Sequence, residues 1–159
     1  MTIKGLVDED FVNYKLPSMF ISTPTCSFKC EKESEVCCCQ NSNLAKQESR
    51  FVDDAIIIKR YLNNDITKAI VFGGLEPFDN FEELYNFIRV LRQKYHCDDS
   101  VVIYTGYNKK EILFMLEMLK PLKSIIVKYG RFIPNQEKKY DEILGVYLAS
   151  PNQYAEELC

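Results

Sequence analysis

Five cysteines, Cys26, Cys30, Cys37, Cys38 and Cys39, lie within fourteen residues of one another. A deprotonated thiol is a soft anionic ligand, so thiols at this density point to a metal or a metal cluster. Two further cysteines, Cys97 and Cys159, stand apart and are expected to be ordinary thiols, which makes the total odd. An odd count, tight clustering and a mixed, acidic Met1–Asp10 without an apolar stretch argue against a secreted disulfide framework. A reducing, cytoplasmic setting is the expectation.

A [4Fe–4S] cluster takes cysteine thiolates on its irons. Cys26-Ser27-Phe28-Lys29-Cys30 offers two from one turn, and the third must come from the Cys37-Cys38-Cys39 run. Neighbouring side chains diverge in a strand or a turn, so three adjacent cysteines cannot all face one cubane. Cys39 is the expected third ligand because the polar pair Gln40-Asn41 follows it as a loop-closing turn; Cys37 comes next and Cys38 last. Three protein thiolates leave one iron open to chelate a small molecule. The competing reading is a binding module held together by a structural zinc ion or a cluster, without turnover. Zinc wants four tetrahedral ligands, and two pairs can be drawn from Cys26, Cys30, Cys37 and Cys39.

The elements that must position these thiols follow from periodicity. Ser18–Thr23 is short and apolar and reads as a strand ended by Pro24, and the cysteine loop follows it to about Asn43. Asp53–Asn63 reads as a helix with Ile56, Ile57 and Leu62 on one face. Thr67–Phe72 reads as a buried strand closed by Gly73-Gly74. Phe81–Tyr95 carries Phe81, Leu84, Tyr85, Ile88, Leu91 and Tyr95 as an amphipathic stripe, with Asp79 or Asn80 as its N-cap. Val101–Thr105, Ser124–Lys128 and Leu144–Ala149 read as strands, and Lys109–Lys120 as a helix stopped by Pro121. Strands alternating with helices imply βαβ units and a largely parallel sheet, in which ligands collect beyond the carboxyl ends of the strands. The loops at that end are 25–43, 73–78, 106–108, 129–135 and 150–153, and they hold all the unusual residues of the sequence.

Composition narrows the function. The 159 residues, 47% hydrophobic and 27% charged, suit a single globular domain over 1–159. A net charge of −3 without a Lys/Arg run gives no footprint for nucleic acid. The longest apolar runs, such as Ile112–Leu116, are far short of the ~20 residues of a membrane span. A single histidine, His96, expected to face solvent, leaves no hydrolytic triad, and there is no phosphate-loop signature. Ala45–Arg50 reads as a mixed-charge face.

From about Asp10 to Tyr154 the motifs carry a family resemblance. Met19-Phe20-Ile21 leads into the cysteine loop, which ends Cys39-Gln40-Asn41; Phe72-Gly73-Gly74-Leu75-Glu76-Pro77-Phe78, Tyr104-Thr105-Gly106-Tyr107, Gly130-Arg131-Phe132 and Ser150-Pro151-Asn152-Gln153 follow in order. In this the chain resembles the activating enzymes of anaerobic (class III) ribonucleotide reductase, members of the radical S-adenosylmethionine (SAM) superfamily. The resemblance implies an α/β fold, a single-domain partial (β/α) barrel whose mostly parallel sheet bears the cysteine loop after its first strand. It implies a [4Fe–4S] cluster on Cys26, Cys30 and Cys39, with SAM beside it as the second cofactor. Gly73, Gly74, Glu76 and Pro77 would then meet the methionine end of SAM. Tyr104 and Thr105 would contact its ribose or adenine, Phe28 would shield the cluster or lie against adenine, and Asn152 and Gln153 would hydrogen-bond ligand or backbone. Each also has a plainer reading: a strand-to-helix turn for the glycines, a helix-leading acid for Glu76, rim packing for Tyr104, an exposed turn for Asn152-Gln153.

The activity so implied is reductive cleavage of SAM by an oxidoreductase that leaves a glycyl radical on a partner. That partner is a glycyl-radical enzyme such as anaerobic ribonucleotide reductase, and the electron donor a protein such as flavodoxin or ferredoxin. The chain departs from the family in several places. Eight residues separate Cys30 from Cys39, where the family's Cys-x3-Cys-x2-Cys loop is tighter, so the Glu31–Val36 insertion must loop out. Leu75 splits Gly-Gly from Glu-Pro, Asn13-Tyr14-Lys15 stands near where the family has a Gly-rich, Arg-bearing segment, and Lys128-Tyr129 replaces the expected acid before Gly130.

Overall fold

The computed structural model describes residues 1–158, so Cys159 lies outside the described residues. In chain order the elements begin with strands β1 (Thr2–Ile3), β2 (Gly5–Asp10) and β3 (Ser18–Ser22), followed by helices α1 (Lys29–Ser34) and α2 (Ser42–Ala45). Next come β4 (Arg50–Phe51), α3 (Asp54–Leu62), β5 (Ala69–Gly73), α4 (Phe81–Gln93), β6 (Ser100–Tyr104) and α5 (Leu113–Leu119). The chain continues through β7 (Ile125–Tyr129), β8 (Lys139–Asp141), β9 (Val146–Leu148) and β10 (Tyr154–Glu157).

The architecture is α/β, built on a six-stranded sheet in the order β10-β7-β6-β5-β3-β2. Its centre, β3-β5-β6-β7, is parallel, as the alternation of strands and helices predicts. Both edges are antiparallel, which makes the sheet mixed rather than mostly parallel. The edge strands are the acidic segments Gly5–Asp10 and Tyr154–Glu157, whose charge hides them from a search for apolar runs and protects the open edge from pairing with another chain. The expected strand at Leu144–Ala149 is β9, and it does not join the sheet. It pairs with β8 in a separate antiparallel hairpin turned at Gly145, whose φ is +70°.

Alternation along the strands sends Ile21, Phe72, Ile103 and Val127 to one face, against α3, α4 and α5. Val71, Val102 and Ile126 go to the other face, against Tyr14, Leu144 and Leu148 from the loop before β3 and from the hairpin. In α3 the buried face is Ile57, Ile58 and Tyr61, whereas Ile56 and Leu62 are exposed, a rotation of the expected stripe. Asp53 caps that helix by accepting from the Ala55 N–H at 2.7 Å. Leu84, Ile88 and Leu91 of α4 are buried as expected, and Phe87 joins them in edge-to-face contact with Phe72 at 5.4 Å. The segment 109–120 starts as a 3-10 turn under an Asn108–Glu111 capping box before α5 begins. No helix among the described residues is long and apolar enough to cross a membrane.

Candidate metal centre and ligand cavity

At the carboxyl ends of β3, β5, β6 and β7 lies a cavity of about 530 Å³, within the range of small-molecule sites. All five loops expected at that rim contribute to its wall, and the hairpin adds Tyr147 and Leu148. One side carries the sulfur-bearing residues Cys26, Cys30 and Cys39; Cys37 is exposed, and neither it nor Cys38 reaches the lining.

The cysteine loop folds by local rules. Phe28 takes a left-handed backbone, φ 52°, unusual for a residue with a side chain, and so starts α1 while its N–H reaches the Cys26 sulfur at 3.3 Å. The eight-residue spacer does not simply loop out: Cys30–Ser34 continue as helix and the chain reverses at Glu35, φ 55°. The Glu31 carboxylate then accepts from the Cys39 N–H at 3.0 Å, holding the third cysteine against the helix that bears the second. Cys38 turns to the Ser34 hydroxyl, 3.4 Å away. Burial pushes the Cys26 thiol up to about 11 and the Cys30 and Cys39 thiols upward, so a metal must displace their protons on binding.

The donor set fits a [4Fe–4S] cluster: three half-buried thiols on one cavity wall, one of them already accepting a backbone N–H. Among the described residues, no three His, Cys, Asp or Glu side chains converge closely enough to grip a single metal ion.

The segment after β5 meets the cysteine loop along its backbone. Thr23 N–H donates to the Gly73 carbonyl at 3.0 Å and Glu76 N–H to the Thr25 carbonyl at 2.9 Å. Gly74 has φ +78°, a left-handed backbone that calls for glycine. Glu76 is 7% exposed and ties two loops together. One of its oxygens accepts from the Thr105 hydroxyl at 2.7 Å and the Phe78 N–H at 3.2 Å, the other from the Gly106 N–H at 2.8 Å. Burial pushes this carboxyl up to about 7 against the pull of those three donors. Pro77 is buried at the start of the 3-10 turn Pro77–Asn80. Asp79, an expected helix cap, instead binds the Ser27 N–H and the Tyr107 hydroxyl, each at 2.6 Å, lashing the cysteine loop to the loop after β6. Asn80 precedes α4 without a capping side-chain bond and reaches Thr25 instead.

The expected site residues separate into two groups. Cys26, Cys30, Cys39, Gly74, Glu76, Tyr104, Thr105 and Gln153 line the cavity; Phe28, Gly73, Pro77 and Asn152 do not. Tyr104 donates its hydroxyl to the Asn13 carbonyl at 2.5 Å. The amides of Asn152 and Gln153 donate to the carbonyls of Arg131, at 2.8 Å, and Gly130, at 3.2 Å. They shape the turn after β7, where a Cβ on Gly130 (φ +98°) would meet the Asn152 carbonyl oxygen at 2.9 Å. Sequence reasoning missed Lys128 as a buried wall residue and Asp79 as a tie. The one available signal for Lys128 was its place at the end of an apolar strand. His96 is exposed, as expected, and Cys97 is buried.

An ionic network clamps α1 to the rim. Arg131 makes a paired contact to Glu111, 2.8 Å on each arm, and Lys29 reaches Glu111 at 3.2 Å while lying 4.4 Å from the Tyr107 ring centre. Glu33 stands 2.8 Å from the Arg131 Nε but off the N–H axis, so that contact is electrostatic only. The Arg131 hydrogen bond, above all, holds the Glu111 carboxyl down at about 2, from an ordinary 4.5. A carboxyl depressed on folding stabilises fully above its unfolded value and loses that contribution as pH falls through the folded one. In the metal-free protein, hydrogen-exchange protection of residues 29–34, corrected for intrinsic rate, is therefore expected to fall between pH 4.5 and about 2. Glu111→Gln should give the low value throughout. Protection that stays level in the wild type across that interval would remove this clamp from the account.

One family model, described as a 4Fe-4S single cluster domain, matches residues 18–153, most of the chain and all of the cavity-bearing loops after β3. No curated protein and no solved structure matches it.

Proposed function

The chain belongs to the 4Fe-4S single cluster domain family, and from that premise we propose that it is a radical SAM activating enzyme acting on a glycyl-radical partner. One observation carries the reading: the loops that bear the resemblance motifs converge on a single cavity of about 530 Å³ with Cys26, Cys30 and Cys39 on its wall. When bound, a [4Fe–4S] cluster with one iron free of protein ligands supplies the electron that breaks the sulfonium bond of SAM. The protein's own residues do the rest. Cys26, Cys30 and Cys39 hold the cluster. Gly74 lets the backbone approach the methionine end of SAM, and the Glu76 oxygen that faces Gly106 has room to accept from its ammonium. Tyr104, Phe20 and the hairpin residues Tyr147 and Leu148 give the nucleoside an apolar wall and keep water out. The partner would be an enzyme such as anaerobic ribonucleotide reductase, with flavodoxin or ferredoxin as electron donor, in a reducing cytoplasm.

The test is anaerobic reconstitution with iron and sulfide, followed by addition of SAM and a strong reductant. Methionine and 5′-deoxyadenosine should appear in equal amounts. A loaded cluster without 5′-deoxyadenosine would make the chain an iron–sulfur binding module. Colourless, iron-free protein would end the reading altogether.

A further inference from the structure

Lys128 is the unexplained charge of the cavity. It sits near the carboxyl end of β7, paired in register with Tyr104, on the sheet face that looks into the cavity. Only 7% of it is exposed. Its ammonium donates to the Gly130 carbonyl at 3.1 Å and lies 5.9 Å from the centre of the Tyr104 ring. A lysine has three N–H donors, so two are left over. No carboxylate among the described residues forms an ion pair with it.

The other cations of the wall are paired in charge: Lys29 and Arg131 both bind Glu111. Glu76 is close enough for its charge to act on Lys128, but the two form no ion pair. Burial pulls the ammonium down to about 8, as a cation short of a counter-ion must be. A buried charge without a partner is costly to a fold and persists where a ligand supplies the missing charge.

We propose that Lys128 anchors a carboxylate of the molecule bound in this cavity and, on the reading of the preceding subsection, that this is the α-carboxylate of SAM. A single free ammonium matches a monoanion better than a phosphate, since the neighbouring Arg131 is charge-paired with Glu111. Glu76 and Lys128, opposite in sign and both lining the cavity, match the zwitterionic end of an α-amino acid.

The experiment measures anaerobic equilibrium binding to reconstituted wild type, Lys128→Met and Lys128→Gln. The probes are SAM, decarboxylated SAM and 5′-methylthioadenosine, with inorganic phosphate as competitor. SAM affinity is expected to fall about 30-fold or more in both variants, while the two probes without a carboxylate bind as before. The ligand-free Lys128→Met protein should melt at or above the wild-type temperature, because an uncompensated buried charge has gone. Equal weakening of all three nucleosides, unchanged SAM binding or a lowered melting temperature in both variants would each overturn the proposal. The last would show that the residue merely holds the Gly130 carbonyl. Phosphate competing in wild type but not in the variants would overturn the carboxylate assignment. A wild type that binds none of the nucleosides refutes the SAM reading itself, and the proposal falls with it.

Discussion

Serine at Cys26, Cys30 or Cys39 is expected to take reconstituted protein from about four irons per chain to nearly none, while serine at Cys37 or Cys38 leaves the iron in place. The contrast rests on direction, not on residue type. The first three thiols border the cavity, the Cys26 sulfur with an N–H already aimed at it and the Cys39 backbone tied by Glu31; Cys37 is exposed and Cys38 is turned to Ser34. With three protein ligands there is no spare, and a hard serine oxygen is a poor substitute for a soft thiolate. On the proposed function, SAM cleavage should also fall below detection, a loss of about a thousandfold or more, because the electron has no other route. Iron content by metal analysis and the cluster's visible absorbance decide the matter. Full loading of Cys39→Ser, or loss of iron in Cys37→Ser, would reassign the third ligand.

Alanine at Glu76 should cost the protein about 3 kcal/mol and lower its apparent melting temperature by about 10 °C. The carboxylate is the common acceptor for the Thr105 hydroxyl and for two backbone N–H groups, Phe78 and Gly106, and is only 7% exposed at the cavity wall. Removing it leaves three donors without their shared acceptor, and each buried donor without a partner costs about 1–3 kcal/mol before relaxation. Glutamine keeps the volume and can still accept from Thr105 and Phe78, but its amide turns N–H groups toward the Gly106 N–H. It should fall between wild type and alanine. Thermal unfolding of the cluster-loaded protein without air, read by far-UV circular dichroism, orders the three. An alanine variant as stable as wild type would mean that the loops after β5 and β6 are held by something other than this carboxylate.

Much of this site could be read from residue types and local spacing. Five thiols within fourteen residues point to iron–sulfur or zinc chemistry, since few other uses tolerate them. Strands ending at Gly73-Gly74 and Gly106, with helices between, place the motif loops on one rim, and the cavity is found there. The edge strands were harder to see because Gly5–Asp10 and Tyr154–Glu157 are acidic and lack a run of apolar residues. The hairpin β8–β9 escaped for a different reason. Val146–Leu148 has ordinary strand character, and nothing local distinguishes a strand that joins the sheet from one that pairs beside it.

The sequence alone determined the ligand chemistry, the parallel centre of the sheet and the rim on which function gathers, because each depends on residue identity or on a period of two or 3.6. The tertiary structure decided which thiols of the run face inward, that Asp79 is a tie and not a cap, that Glu76 joins two loops and that Lys128 is buried without a counter-ion among the described residues. Those outcomes turn on desolvation and on partners far along the chain: Thr105 meets Glu76 across 29 positions and Ser27 meets Asp79 across 52. A polar side chain's role is set by what it can reach in space, and local spacing carries no record of that.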